Sequence, residues 1–474
     1  MLRAVYWGIF CVVASLAWGA ESTSDRPNIV FIVADDHAEW ALGCSGHPNA
    51  RTPHLDQLAR EGVRLTNCFT PTPVCSPSRV SILTSRYGTE TGIEDWLNPK
   101  TEPQQGLDPA TPAWPRLLAA AGYRTGLIGK WHLGIQDRFH PSQFGYQYFM
   151  GFREGGNSPQ DPQLEINGEI RQVEGYIVDL LTDDALKFFQ QDVGQPFALS
   201  LHFREPHRPY TPLPPAELKA FAGVDPVLPN PVHPQLDEKK VKQLTRDYLG
   251  SVAAIDGNVG RLLTELNRLG LADNTLVIYT SDHGYNIGHH GVWHKGNGAW
   301  ILTKNPPGTP HIPEGWRPNM FDTSLRVPAI IRWPKQLPAG RLIDRTVTHL
   351  DWFPTLLEAA GVALPAGTKI HGQSVLNLWR NQGTFARSDD LYTAYSVHHS
   401  LRADMRSYRT PDWKLTRDFL NPGRDELYHL KSDPHETQNL ADSDRSDATT
   451  ARRELSARIE ARMQELKDPL LKTR

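Results

Sequence analysis

Several stretches of the chain are almost continuously apolar, which is typical of strands buried on both faces of a parallel sheet. Between them, apolar residues recur every three or four positions, most clearly from Leu249 to Leu269, and the helical segments end at glycines. The alternation predicts an α/β fold with a mostly parallel central sheet flanked by helices. The predicted strands span residues 28–34, 124–129, 197–201, 276–279 and 326–333.

The pattern changes near residue 365. Short strand-like runs appear at 391–396, 413–416 and 426–430, and a charged helical segment at 451–467 closes the chain. We therefore predict a large α/β domain over residues 25–364. A smaller C-terminal subdomain over residues 365–474 should hold a short antiparallel sheet and a terminal helix.

Residues 1–20 have the pattern of a cleaved signal peptide. Arg3 precedes an apolar run, and Ala17-Trp18-Gly19 is a small-x-small cleavage pattern. The sequence therefore predicts a secreted or periplasmic protein. We expect no membrane span, since no later stretch is long and apolar enough.

Charged residues and histidines follow four predicted strands. They are Asp35 and Asp36, Lys130 and His132, His207, and Asp282 and His283. In open α/β sheets, sites form outside the carboxyl ends of the strands, so one site should collect these side chains. Lys130 and His132, two apart on an extended segment, should point the same way. Prolines on both sides of His207-Arg208 restrict its backbone, whereas His202 is expected to be a supporting or core histidine.

The Asp35-Asp36 pair predicts a metal site. Two adjacent carboxylates at a buried strand end repel each other unless a cation lies between them. A strand-end turn alone would need only one of them. Oxygen ligands of this kind suit calcium or magnesium.

Cys75-Ser76-Pro77-Ser78-Arg79 leads into residues 78–83, which predict the first turns of a helix. Cys75 would then lie near a helix N-terminus, where backbone N–H groups favour an anion. Arg79, about one turn further on, can reach back to it. A plain cysteine thiolate needs a partner base or a lowered pKa to act as a nucleophile. The alternative is a structural cysteine before a helix.

The overall composition is that of a globular protein without a nucleic-acid partner, and the pairing of two cysteines stays open. Hydrophobic residues make up 39% and charged residues 22% of the chain, as in a globular protein with a large core. A net charge of −3 gives no sign of a nucleic-acid partner. Cys44 and Cys68 either pair or are both free and buried.

Two polar segments, 139–175 and 296–320, are predicted to be long loops that frame a substrate pocket. Their candidate substrate-binding residues are Arg153, Asn157, Asn297, Trp300, His311 and Arg317.

The histidines of segment 288–296 allow two interpretations. One is a zinc cluster, against which the irregular spacing and the lack of a cysteine argue. The other is a glycine-rich loop that brings Lys295 over the site.

Taken in order, these motifs resemble the type I, formylglycine-dependent sulfatases over essentially the whole mature chain. The Ser-Asp-His-Gly motif, where many sulfatases have asparagine after the metal aspartate, resembles the iduronate-2-sulfatase-like and bacterial polysaccharide sulfatase branch. The resemblance implies an alkaline-phosphatase-like α/β sandwich with a smaller C-terminal subdomain. The matches are Asp35-Asp36, Cys75-x-Pro77-x-Arg79, Gly129-Lys130-Trp131-His132, Pro206-His207, Ser281-Asp282-His283-Gly284, Lys295 and the C-terminal Leu427-Tyr428-His429-Leu430.

The resemblance also implies cofactors. A formylglycine-generating maturation enzyme would oxidise Cys75 to 3-oxoalanine (formylglycine), an aldehyde whose hydrate attacks the sulfur of a sulfate ester. A calcium ion, with magnesium less favoured, would be held by the modified Cys75 and four further residues. Those four are Asp35, Asp36, Asp282 and His283.

Catalytic roles follow by matching position. Arg79 and Lys130 would hold the hydrated aldehyde and the sulfate. Asp282 would help to deprotonate the attacking oxygen, and His207 and Lys295 would lie at the leaving oxygen, one of them as general acid. His132 would take the proton when sulfate is released.

The favoured function is therefore a secreted sulfatase that acts on a sulfated saccharide. One alternative is a phosphonate or phosphodiester hydrolase of the same superfamily, which shares the Cys-x-Pro-x-Arg chemistry. Another is a non-catalytic carbohydrate-binding relative. No expected chemical position is missing from the chain, which argues against the second alternative.

Overall fold

The computed structural model describes residues 26–191, 194–383 and 385–472, so the predicted signal peptide lies outside the described residues. Ten of the strands form the central sheet: β1 (Asn28–Ala34), β2 (Val63–Leu65), β4 (Arg124–Lys130), β5 (Tyr148–Phe152), β6 (Gln163–Ile166), β7 (Glu169–Gln172), β8 (Phe197–His202), β9 (Thr275–Ser281), β14 (Ala329–Arg332) and β15 (Arg341–Ile343). Their spatial order is β15-β2-β14-β9-β1-β8-β4-β5-β6-β7.

Three smaller sheets accompany it. They are built from β3 (Cys68–Phe69) with β16 (Val347–Thr348); from β10 (Asn286–Ile287), β11 (Val292–His294), β12 (Asn297–Trp300) and β13 (Trp316–Pro318); and from β17 (Leu391–Val397), β18 (Ala403–Arg409), β19 (Trp413–Asp418) and β20 (Glu426–His429).

The α-helices of the described chain are α1 (Pro53–Arg60), α2 (Cys75–Thr84), α3 (Gly88–Thr91), α4 (Trp114–Ala120), α5 (Ile177–Phe189), α6 (Pro215–Phe221), α7 (Glu238–Arg268), α8 (Asp322–Leu325), α9 (Trp352–Ala359), α10 (Leu376–Arg380) and α11 (Ser446–Leu466). Short 3-10 helices cover Glu39–Ala41, Asp137–Phe139, Pro141–Phe144, Ala272–Asn274, His289–Gly291, His349–Asp351 and Pro469–Lys472.

The centre of the main sheet is parallel and buried on both faces. β1 runs between β8 and β9, parallel to both, and Ala34 pairs in register with Ser281. On one face, Phe31 packs edge-on against Trp114 and Trp352 of α4 and α9. The opposite side chains of β1 pack with those of α5 and α7. The predicted α/β class is confirmed, and neighbouring parallel strands end at one edge of the sheet.

The prediction of a long loop over 139–175 is wrong in part. β5, β6 and β7 lie in this segment and extend the sheet at one edge. All four residues of β7 are exposed, so no hydrophobic alternation marks it. The second predicted loop, 296–320, likewise contributes β12 and β13 to a small antiparallel sheet.

The C-terminal part contains the predicted antiparallel sheet and terminal helix. β17 to β20 pair in chain order, and α11 packs on them through Leu455, Ile459 and Met463. The sequence did not predict β18, although its residues are mostly buried. The boundary at residue 365 stays a prediction.

Cys44, Cys68 and Cys75 are free thiols, so Cys44 and Cys68 do not pair. Among the described helices, none has the length and apolarity needed to cross a bilayer.

A buried ion pair fastens the C-terminal end of the chain to this sheet, and it allows a test of stability. The Nε of Arg406, a fully buried residue of β18, lies 2.6 Å from Oδ2 of Asp468. We expect Asp468→Asn to lower the free energy of unfolding by about 3 kcal/mol, because it leaves the buried guanidinium with only the longer pair to Glu94, at 3.4 Å. The measurement is denaturant unfolding. Asp447→Asn, which breaks the exposed Arg445–Asp447 pair, is the control and should unfold like the wild type.

Candidate active site

Two neighbouring strand ends bring three carboxylates together. Asp35 and Asp36 follow β1, Asp282 and His283 follow β9, and the register of these strands places the two pairs side by side. The backbone N–H of Asp36 donates to Oδ1 of Asp282 over 3.2 Å, and the N–H of Asp35 donates to Glu205 O. Asp35, Asp36 and Asp282 are all fully buried.

Cys75 is the first residue of α2, in agreement with the predicted helix start, and its side chain points at this cluster. Its Sγ lies 3.0 Å from Nζ of Lys295, 3.4 Å from Nε2 of His283 and 3.6 Å from Oδ1 of Asp35. Burial raises the pKa of the thiol to about 12, although Lys130 and Lys295 pull it down. An unmodified Cys75 is therefore a neutral thiol and a weak nucleophile at ordinary pH.

The residues present fit a divalent cation. Nδ1 of His283 donates to Gly284 O over 2.9 Å, so Nε2 is the acceptor nitrogen of a neutral ring. That nitrogen lies 3.1 Å from Oδ1 of Asp36 and 3.5 Å from Oδ1 of Asp282, which are acceptors as well. Oδ2 of Asp36 is buried and has no hydrogen-bond partner. Converging acceptors with no proton between them require positive charge.

The predicted metal ligands fall into two overlapping groups. Asp35, Cys75, Asp282 and His283 offer ligand atoms within 4.8 Å of one another, and a second group of the same size adds Asp36 and His207. Carboxylate oxygens dominate, which suits calcium or magnesium, and one imidazole joins them. The histidine segment 288–296 forms no such group within the described residues.

Three cationic side chains offset the carboxylates. Nζ of Lys130 lies 2.6 Å from Oδ2 of Asp35, Nζ of Lys295 lies 2.6 Å from Oδ1 of Asp36, and Nη2 of Arg79 lies 3.0 Å from Oδ2 of Asp282. Burial opposes ionisation of Asp282, but the positive charges of Arg79 and Lys130 hold its pKa well below the usual range. The site is thus a dry, charge-balanced cluster.

Burial lowers the pKa values of His132, His207 and His283. Burial and the charges of Lys130 and Arg79 lower the pKa of His132 well below its ordinary value, and its Nε2 lies 3.0 Å from Leu97 O. His132 has a positive φ of 59°, so the segment after Lys130 is not extended, which the prediction that the two side chains point the same way had assumed. Nδ1 of His207 lies 2.7 Å from Arg208 O, and its Nε2 lies 3.9 Å from Oδ2 of Asp36.

Supporting residues that the sequence did not single out hold these groups in place. The hydroxyl of Ser78 donates to Asp282 O and lies 3.1 Å from Nδ1 of His349. The Asn319 amide donates to Lys295 O over 2.9 Å and fixes the loop that carries this lysine. His202, the predicted supporting histidine, lies 3.3 Å from Nη1 of Arg79. No local pattern marks Asn319 or His349, since each reaches its partner from a distant segment.

The predicted substrate-binding residues do not form one group. Arg153 makes ion pairs with Glu165 and Asp137, which occupy its donors. Trp300 and Arg317 line a separate cavity of about 900 Å³, whose walls include neither Cys75 nor the predicted metal ligands. The remaining three lie apart: Asn157 donates to Gln163 O, Asn297 is half-buried in β12, and His311 is exposed with its carbonyl bonded to Arg402.

Comparison with known proteins gives a consistent result. A family model described as sulfatase matches residues 27–362. A second model, the C-terminal part of N-sulphoglucosamine sulphohydrolase, matches residues 316–467.

Individual relatives match most of the chain. An N-acetylglucosamine-6-O-sulfatase of Bacteroides thetaiotaomicron is 28% identical in an alignment of 511 positions. The alignment covers 90% of this chain and 85% of that protein. A steryl-sulfatase of Mus musculus is 29% identical in an alignment of 483 positions, which covers 84% of this chain and 72% of that protein.

A solved structure supports the fold. A protein in complex with its substrate D-glucosamine-2-N,6-O-disulfate superimposes with a TM-score of 0.79 at 27% identity, over 94% of this chain and 99% of that chain. The predicted alkaline-phosphatase-like sandwich is confirmed.

The cluster makes a prediction about metal binding that does not depend on turnover. Calcium at about 100 times its dissociation constant should stabilise EDTA-treated protein by about 2.7 kcal/mol, because it binds the folded state alone. Asp36→Asn and Asp282→Asn should each weaken this stabilisation, which thermal melts with and without calcium measure. Asp256→Asn, a buried carboxylate of α7 that bonds the start of α1, is the control and should keep the full calcium effect. An unchanged calcium effect in both site variants would rule out the metal site.

Proposed function

This chain belongs to the sulfatase family and is an enzyme that hydrolyses sulfate esters, and on that premise we propose that it desulfates a saccharide through a formylglycine derived from Cys75 and a bound calcium ion. Within the family, we assign the chain to the iduronate-2-sulfatase-like or bacterial polysaccharide sulfatase branch. The proposal also includes secretion or periplasmic export, for which the pattern of residues 1–20 is the support.

The observation that carries the proposal is the position of Cys75. It begins a helix, contacts Lys295 and His283, and belongs to a group of buried ligand atoms that could hold a metal ion. Burial raises the pKa of this thiol even with the His283 ring 3.4 Å away, so the unmodified sulfur is a poor nucleophile, whereas modification replaces it. Formylglycine supplies an aldehyde whose hydrate offers an oxygen nucleophile, and calcium supplies Lewis-acid stabilisation of negative charge.

The side chains of the site have proposed roles toward the ester. Arg79 and Lys130 hold the transferring sulfate by charge-assisted hydrogen bonds. Nε2 of His207 and Nζ of Lys295 both approach the carboxylate of Asp36 and are placed at the leaving oxygen, where the Lys295 ammonium carries the proton that general-acid catalysis needs. His132, a neutral buried ring, accepts a proton in the step that frees sulfate. The ligands of the calcium are Asp35, Asp36, Asp282, His283 and the modified Cys75.

The saccharide assignment draws on the relatives. One relative is named for N-acetylglucosamine-6-O-sulfate, and one solved neighbour holds a disulfated glucosamine as its substrate. A steryl-sulfatase matches at nearly the same identity, so the choice of substrate needs its own experiment.

Substitution of the nucleophile tests the mechanism. Cys75→Ala should lower turnover of any sulfate ester by more than about 1,000-fold, because no other side chain of the site can form the nucleophile. Cys75→Ser should be nearly as inactive if the maturation enzyme accepts only cysteine. Both variants should keep the wild-type melting temperature within a few degrees. Undiminished turnover by the alanine variant would exclude the formylglycine mechanism.

A rate comparison tests the substrate class. We expect sulfated mono- and oligosaccharides to exceed an aryl sulfate in kcat/KM by at least about tenfold, because contacts with the sugar contribute binding energy at the reacting centre. The panel includes a steryl sulfate and a phosphonate monoester, which test the other ester classes on the same preparation. An aryl or steryl sulfate as the best substrate would refute the saccharide assignment but leave the sulfatase chemistry standing.

A further inference from the structure

One buried arginine beside the site has terminal donors without partners. Arg204 follows β8 and is fully buried. Its Nε donates to Asn157 O over 3.1 Å, but Nη1 and Nη2 are buried and have no hydrogen-bond partner. Within residues 26–191, 194–383 and 385–472, no carboxylate lies within ion-pair distance of it. A buried guanidinium in this state costs free energy, so its retention needs a reason.

The backbone fixes Arg204 next to the catalytic groups. The N–H of Phe203 donates to Val33 O over 2.9 Å, and the N–H of Asp35 donates to Glu205 O over 3.0 Å. Arg204 O in turn accepts from the N–H of His207 over 3.1 Å. Arg204 therefore lies in the turn that leads from β8 to His207. This turn runs beside the end of β1, which carries the aspartates of the candidate metal site.

The electrostatic surroundings are consistent with this position. Burial lowers the pKa of Arg204, and Glu205, Asp35 and Asp36 raise it. The guanidinium thus lies within electrostatic reach of the aspartates without pairing with them. Arg79 differs because it forms an ion pair with Asp282, to which its Nε donates, and its Nη1 donates to Lys130 O.

A glycine-containing loop covers Arg204 and also reaches His132. Residues 153–158 provide the carbonyl of Asn157 for Arg204, and a Cβ on Gly155 would lie 2.5 Å from the His132 ring. Gly156 has open space around the position of its Cβ. The same loop therefore lies against both Arg204 and His132. Arg204 donates to it through Nε alone.

We propose that Arg204 forms an anion subsite next to the sulfate-ester site, which takes a second anionic group, sulfate or carboxylate, of the same saccharide. This inference rests on the proposed saccharide sulfatase function. Two terminal nitrogens of one guanidinium match the two oxygens of such a group in a bidentate pair. The second anion supplies the partner that the buried donors lack.

Paired substrates test the subsite. Each pair shares the sulfate ester that is cleaved and differs in a second group, as D-glucosamine-2-N,6-O-disulfate differs from N-acetyl-D-glucosamine-6-O-sulfate. A second set of pairs compares sulfated disaccharides with and without a uronate carboxylate. We expect Arg204→Gln to lower kcat/KM for the better dianionic substrate by about 10- to 100-fold. The counterpart, whose only anionic group is the sulfate ester that is cleaved, should change by less than about threefold.

Two further variants control for charge and folding. Arg208→Gln removes the same charge from the same turn, but Arg208 is exposed and its guanidinium lies 5.5 Å from the centre of the Trp293 ring. It should leave the ratio between paired substrates unchanged. Arg204→Lys keeps the charge without the bidentate geometry and should give an intermediate ratio, so it serves if the glutamine variant does not fold.

The outcomes separate the subsite from the proposed function. An equal loss on both members of a pair in the Arg204 variants overturns the subsite and leaves the saccharide sulfatase standing. Wild-type enzyme that cleaves an aryl sulfate but no saccharide overturns both. A loss confined to the dianionic members, with a melting temperature close to that of wild type, supports the subsite.

Discussion

The repulsion among Asp35, Asp36 and Asp282 is the constraint on which the rest of the site depends. The register of β1 and β9 brings these carboxylates together in a place that water does not reach. Two like charges 4 Å apart repel by about 4 kcal/mol at the effective dielectric constant near a protein surface, and by more in a drier site. Folding therefore requires cations at this point, and each lysine or arginine that approaches Cys75 also neutralises one of the carboxylates.

The same balance gives the site its chemical capacity. Arg79, Lys130 and Lys295 are held by carboxylates, so they are oriented before a sulfate arrives and need little reorganisation. Asn319 and the hydroxyl of Ser78 hold the chain behind two of these groups. A cluster that is costly to bury is thereby a rigid receptor for a tetrahedral anion, and its rigidity depends on side chains far apart in sequence.

The central strands and the strand-end residues were predictable because both follow from local rules. A strand buried on both faces is apolar throughout, and the residues after parallel strands meet at one edge. β7 was not predictable, because its side chains are solvated and only backbone pairing defines it. β18 was obscured by Arg406, a charged residue in a core position that Asp468 neutralises from 62 residues away. Trp300 and Arg317 were chosen by composition, and composition does not tell whether a side chain faces the catalytic cluster or a separate cavity.

The residues that act on the sulfate ester are not the ones that distinguish one substrate from another. Relatives named for a sugar sulfate and for a steryl sulfate match the chain at 28% and 29% identity, so overall similarity does not distinguish their substrates. In the proposed function, the groups at the ends of β1, β4 and β9 bind the sulfate, which those substrates share. Discrimination must come from side chains outside that balanced cluster. Arg204 is a suitable candidate, because a buried cation with unpaired donors favours a substrate that brings a negative charge and penalises one that leaves it unpaired.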